Sequence, residues 1–188
     1  MLKRASRNSD KPSVISGLDA GVIEKNIMNA DHGLMDAFGS NIQYYGAGTS
    51  KIKLPHLLFG TPNGTKIIYI LGYADRARWK KALGSQFYAL YIDEINVADM
   101  DYVREAAMRC DYMMATLNPD DPSLPIYEEY INRSRPLPEY DTDAPPELRA
   151  MLDKPAKDGW VWWYFSFDHN LGLPEEKKRQ IIENVPIG

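Results

Sequence analysis

Apolar positions along the chain fall into two patterns, unbroken runs of five or six residues and stripes at helical spacing. The runs mark where a buried sheet would lie. The longest aromatic run before residue 100, Phe87-Tyr88-Ala89-Leu90-Tyr91-Ile92, stops at two adjacent carboxylates, Asp93-Glu94. A short, continuous, aromatic-rich run predicts a strand covered on both faces, as in a parallel sheet flanked by helices. Over 101–110, Val103, Ala106, Ala107 and Cys110 recur at helical spacing, with Arg104, Glu105 and Arg109 facing outward. A second apolar run over 112–117 follows and stops at Asn118-Pro119. Strand, helix and strand predict a right-handed parallel crossover. Thr116 and Asn118 then lie beside Asp93 and Glu94 at one sheet edge.

Earlier in the chain the pattern predicts a short strand over 13–17 and a helix over 20–28 with Val22, Ile23 and Ile27 on one stripe. A second helical piece over 34–38 is closed by Gly39. Strands over 55–59 and 66–71 are joined by a hairpin turn built on Asn63-Gly64. A turn and a short basic helix over 72–84 carry Arg76, Arg78, Trp79, Lys80 and Lys81. After 118 the reading is a helix over 122–131, then a polar, proline-rich stretch over 133–159 with one helix over 145–152 capped by Asp143. An aromatic strand over 160–167, a turn at Asp168-His169-Asn170 and a helix over 174–185 complete it. The fold class expected is α/β, a mainly parallel sheet with flanking helices and a proline-rich insertion. Residues 1–132 form the core, 133–159 a connector, and 160–188 a strand and helix of the same domain.

Composition narrows this little. The 188 residues fit one domain, and a single cysteine, Cys110, forms no internal disulfide. No stretch approaches the ~18 apolar residues of a membrane span, so a soluble intracellular protein is expected. Charge is uneven: residues 1–85 carry 12 Lys and Arg against 6 Asp and Glu, and residues 86–188 carry 10 against 20. A basic first half suits phosphates and an acidic second half a cation, although a solvated surface gives the same count.

Candidate chemistry centres on Asp93-Glu94. In open α/β sheets ligands bind outside the carboxyl ends of the strands, which is where a metal-nucleotide site belongs. An apolar strand ending in Asp-Glu has the form of a Walker B motif. There the Asp helps hold Mg²⁺ through water and the Glu orients the water that attacks the γ-phosphate of ATP. The plainer alternative is a strand ending in an acidic turn. Thr116 and Asn118 are placed to sense that phosphate, or merely to begin a turn. Arg76, Arg78, Lys80 and Lys81 are candidates for contact with a nucleic-acid backbone, with Trp79 stacking or packing beneath, or else form a solvated helix face. Two glycine-lysine stretches, 46–51 and 60–66, lack the spacing G-x-x-x-x-G-K-[ST] of a phosphate-binding loop. His32 reads as a loop residue and His56 is equally isolated, and nothing near Cys110 marks it as a reactive thiol.

The ordered set Gly72-Tyr73-Ala74-Asp75, Arg78-Trp79-Lys80, Gly84, Tyr91-Ile92-Asp93-Glu94, Thr116-Leu117-Asn118-Pro119 and Ile126-Tyr127-Glu128-Glu129-Tyr130 resembles the ATPase domain of tailed-bacteriophage large terminase subunits, a P-loop NTPase-like fold. Phe165-Ser166-Phe167-Asp168-His169-Asn170 is similar to that family's strand and Asp-Asn turn, with His169 interposed. The resemblance implies an ATP-driven motor that packages double-stranded DNA in the host cytoplasm, oligomeric and working with a small terminase subunit and a portal. It also implies that Asp93 serves Mg²⁺, Glu94 is the catalytic carboxylate, and Thr116 with Asn118 couples nucleotide state to DNA movement. The family's Walker A loop is expected upstream of this sequence and its nuclease domain downstream. Without the loop the chain alone is expected to be a poor ATPase.

Two other readings compete. One is a metal-dependent RNase H-like nuclease using Asp93, Glu94 and Asp168, a fold that also puts an Asp on a buried strand but in a sheet mixed with an antiparallel hairpin right after the start; the helix, strand and Thr-Leu-Asn-Pro that follow Asp93 favour the motor. The other is a non-catalytic remnant that binds DNA or partner chains.

Overall fold

The computed structural model describes residue 2, residues 10–118 and residues 120–184, apart from the side chains of Arg78, Lys81 and Phe167. Pro119 and Val185, the expected ends of the Thr116 motif and of the last helix, lie outside the described residues. The chain divides into two compact units, Met1–Asp121 and Pro122–Gly188.

The first unit is built on a six-stranded sheet of order β2-β3-β4-β1-β5-β6. Its strands are β1 (Ser13–Gly17), β2 (Ile42–Tyr45), β3 (His56–Thr61), β4 (Gly64–Gly72), β5 (Phe87–Ile92) and β6 (Cys110–Ala115). β1 pairs in parallel with both β4 and β5, and β5 in parallel with β6. β2, β3 and β4 are antiparallel, joined at the predicted hairpin with Gly64 at φ +92°. The sheet is therefore mixed, parallel from β4 through β1 and β5 to β6. β1 lies at its centre with every residue buried.

Both faces are covered. Ile15 and Ile23 join Met28, Ile42, Leu57, Phe59, Ile68 and Ile70 in one apolar cluster beneath the helix Ala20–Ile23, which continues as a π-helical turn over Glu24–Met28. Neighbouring strand residues face opposite ways, so Ser16 looks to the other side. There its hydroxyl donates to the Leu71 carbonyl at 2.7 Å and accepts from the Tyr102 hydroxyl at 2.7 Å. Tyr102 belongs to the helix Met100–Ala107, capped by Asp99 and buried at Tyr102, Val103 and Ala106. Trp79, from the helix Arg76–Ala82, packs edge-on against Tyr102 with ring centroids 5.4 Å apart.

Several expectations are corrected. Cys110 does not end the Met100–Ala107 helix but opens β6, and burial, with Asp111 beside it, pushes its thiol up to about 11. β6 is the outermost strand of the order, so Tyr112 and Met114 are exposed where the apolar run predicted cover. His56 lies in β3, within the strand expected over 55–59, and is fully buried, stacked on Tyr45, with Nδ1 2.8 Å from the Leu54 carbonyl. β2 was not predicted at all.

In the second unit, helices span Pro125–Glu129, Pro146–Ala150 and Glu175–Asn184. The Pro146–Ala150 helix starts on Pro145 with no side-chain cap, and Asp143 instead ends the 3-10 segment Pro138–Asp143. The predicted aromatic strand over 160–167 is absent among the described residues except for one bridge, Arg135 to Val161. Its period-two exposure survives, with Val161, Trp163 and Phe165 outward. A strand needs a ladder as well as the pattern, and here Trp160 is held by stacking on Tyr130 and by Lys157 over its ring. Arg135 ties this unit together, donating to the carbonyls of Asn132, Ser134, Leu152 and Lys154. Among the described residues no helix is long and apolar enough to cross a membrane.

Candidate active site at the carboxyl ends of β5 and β6

The parallel pairing of β5 with β6 carries each chain to the same sheet edge, where backbone bonds stitch the two exits together. Thr116 N donates to the Ile92 carbonyl at 3.0 Å and Ile95 N to the Thr116 carbonyl at 2.9 Å. Asp93 N donates to the Ser16 carbonyl of β1 at 2.8 Å. The side chains follow the backbone. Thr116 Oγ1 donates to Asp93 Oδ1 at 2.8 Å, and the Tyr91 hydroxyl donates to the same oxygen at 3.0 Å. Tyr91 and Thr116 hydroxyls are themselves 3.1 Å apart. Two hydroxyl donors on one carboxylate oxygen fix its direction. Burial is the main cause that pushes the Tyr91 phenol up, and the Asp93 charge adds to it.

Glu94 follows in the left-handed region, φ 49° and ψ 53°, with its side chain exposed and its N–H 3.5 Å from Thr116 Oγ1. Non-glycine residues rarely adopt this conformation, at a cost of roughly 1–2 kcal/mol. Asn118 is exposed two residues beyond Thr116, and among the described residues no hydrogen bond links it to Asp93 or Glu94. The structure thus brings together Asp93, Glu94 and Thr116.

Tyr73 was missed. It follows β4, is buried, and its hydroxyl reaches the carbonyl oxygens of Asp93 and Glu94, both at 3.3 Å. Its place after Gly72 at the end of an apolar strand was the available signal. Gly17 is its neighbour at the end of β1: Tyr73 N donates to the Gly17 carbonyl at 2.9 Å.

The basic helix is only partly described. Arg76 pairs with Asp101 at 3.1 Å, and Lys80 lies 5.9 Å from the Trp79 ring centroid. Trp79 is 2% exposed, so of its two expected roles it packs beneath and does not stack on a base. The side chains of Arg78 and Lys81 lie outside the described residues. A cleft of about 570 Å³ lined by Arg76, Lys80, Arg104 and Arg109, with Asp101 and Glu105, borders this helix. Asp168 belongs to the second unit, where His169 Nδ1 accepts from Ser166 N at 2.9 Å.

The donor set at Asp93 fits a hydrated Mg²⁺: a fixed carboxylate, a threonine hydroxyl and a second acid, all oxygen, with water left to fill the octahedron. Among the described residues no group of three or more His, Cys, Asp or Glu forms a fuller cage. For a nucleotide the fit is incomplete, since no stretch of the 188 residues has phosphate-loop spacing.

No protein-family model matches the sequence, and no curated protein matches it significantly. Solved structures do. The large terminase of a thermophilic bacteriophage matches with TM-score 0.69 at 15% identity, covering 96% of this chain and 39% of that one. The same protein in complex with ADP matches at TM-score 0.68 and 15% identity, and in complex with ATP-γ-S at 0.63 and 14%, with 96% of this chain covered and 39% and 38% of theirs. At this identity the likeness concerns the fold alone, a mostly parallel α/β sheet with flanking helices. The chain spans less than two fifths of the length of these structures.

Proposed function

We propose that this chain is a segment of a phage large-terminase packaging motor and contributes the acidic half of its Mg²⁺-ATP site. The observation that carries the reading is the Thr116 to Asp93 hydrogen bond of 2.8 Å, beside Glu94, at the carboxyl ends of two parallel strands. In this reading Asp93 holds Mg²⁺ through water and Glu94 orients the attacking water. Thr116, already bonded to Asp93, passes a change at the metal to Asn118 and so to DNA movement. Arg76, Arg78, Lys80 and Lys81 contact the DNA backbone. The motor works as an oligomer in the host cytoplasm with a small subunit and a portal. The 188 residues hold the carboxylates without a phosphate cradle, and the cradle supplies most of the charge stabilisation of phosphoryl transfer.

The nuclease reading gains less. The helix and the parallel β6 that follow Asp93 and lead to Thr116 support the motor over it.

Isothermal titration and a phosphate-release assay on the purified chain test the proposal. Weak Mg²⁺ binding that disappears in Asp93→Asn, with no ATP turnover, is expected. Micromolar ATP affinity with Glu94-dependent release would reveal a phosphate site in these residues. In a longer protein containing the segment, Glu94→Gln retaining near-normal hydrolysis would rule out the catalytic role.

A further inference from the structure

We propose that Tyr73 is the positioning residue for Glu94: its hydroxyl bridges the Asp93 and Glu94 carbonyl oxygens and holds Glu94 in the left-handed turn that sets the direction of its carboxylate. This rests on the reading of Glu94 as the water-orienting acid, but the geometry stands by itself. The two 3.3 Å contacts fall on consecutive carbonyls. Carbonyls of successive residues in an extended strand point opposite ways, so one hydroxyl can reach both only where the backbone turns, as it does at φ 49°. The turn and the clamp therefore require each other.

Two further observations support the assignment. Tyr73 is anchored at both ends, its N–H on the Gly17 carbonyl and its ring against Tyr102 at 5.9 Å between centroids. The hydroxyl thus comes from a rigid part of the sheet, one strand removed from the acids, in the order β4-β1-β5. Glu94 has no side-chain cap on the 3-10 turn Ile95–Val97 that it precedes, which leaves the backbone to be held from elsewhere.

Tyr73→Phe on the full chain removes the clamp and keeps the ring. The fold should persist by circular dichroism, while the Glu94 ¹³Cα and ¹³Cβ shifts leave left-handed values. Amide exchange at Ile95 should rise roughly tenfold as the turn opens locally. In a Glu94→Gly background, where the turn needs no holding, the loss of Tm caused by Tyr73→Phe should shrink by about half or more, because the two residues act as one unit. If Tyr73→Phe alone fails to fold, Glu94→Gly must restore folding. Unmoved Glu94 shifts, equal Tm losses in both backgrounds, or no rescue would overturn the proposal. All readouts are taken without metal or nucleotide, so they do not depend on whether the site hydrolyses ATP.

Discussion

Replacing Ser16 by Ala should destabilise the first unit by an amount that can be worked from two hydrogen bonds. Ser16 is fully buried in β1, its hydroxyl donating a hydrogen bond to the Leu71 carbonyl and accepting one from the Tyr102 hydroxyl, each at 2.7 Å. The substitution removes one atom and leaves almost no cavity, so the loss is polar. Tyr102 is left with a buried, unsatisfied O–H, a desolvation penalty of about 1–3 kcal/mol, and the Leu71 carbonyl keeps other bonding capacity and suffers less. About 2–3 kcal/mol is therefore expected, or a Tm drop of roughly 5–10 °C for a domain of this size. Tyr102→Phe alone should cost about 1 kcal/mol, because Ser16 still has its carbonyl. The double variant should then be less damaged than the sum by roughly 1 kcal/mol, since no donor is stranded. Urea unfolding followed through amide signals of β1 and β5 measures each value. A Ser16→Ala cost below about 0.5 kcal/mol, or strictly additive singles, would refute the reasoning.

Other outcomes follow from packing and titration. Trp79→Ala should cost about 3–5 kcal/mol of stability by chemical denaturation, whereas Lys80→Ala beside it should stay within about ±0.5. At Gly17 an added Cβ would sit 2.8 Å from Ile23 Cγ1, so Gly17→Ala should cost about 1–3 kcal/mol and perturb the neighbouring Asp93 signals. With its thiol pushed up to about 11, Cys110 should resist iodoacetamide in the native state at about pH 8 and react readily once urea unfolds the chain. The same shift fixes a sign: between pH 9 and 11 the unfolded thiol has lost its proton and the folded one has kept it. Stability should therefore fall as pH rises through that window, readable as a falling urea midpoint.

The helix-linked parallel pair β5 and β6 was legible because its information is local: an unbroken apolar run, an amphipathic helix, a second run, polar stops. From that alone Asp93 and Thr116 could be placed together. Tyr73 could not, because its role depends on a reach across β1, and nothing in Gly72-Tyr73 fixes which strand lies alongside. β2 went unseen for a related reason, since Ile42–Tyr45 is four residues long and becomes a strand through pairing with β3. The 160–167 stretch shows the converse. Its aromatic alternation is a strand pattern, but ladder partners come from elsewhere in a chain, and pattern does not supply them. His56 read as an isolated polar residue because burial of a ring against Tyr45 leaves no trace at neighbouring positions.

Arg135 has a consequence beyond its four hydrogen bonds. Its guanidinium joins carbonyls at 132 and 134 to carbonyls at 152 and 154, so the irregular, proline-rich stretch between them is a closed ring whose ends are already together. In a chain with one cysteine this is a non-covalent staple doing what a disulfide would do in a secreted protein, holding a loop whose closure entropy little regular structure offsets. The staple has no redox dependence. A lysine in its place offers three donors from a single point where the planar fork spreads five. The ring would then be fastened at one end only, making this loop the region of the second unit most open to proteolysis.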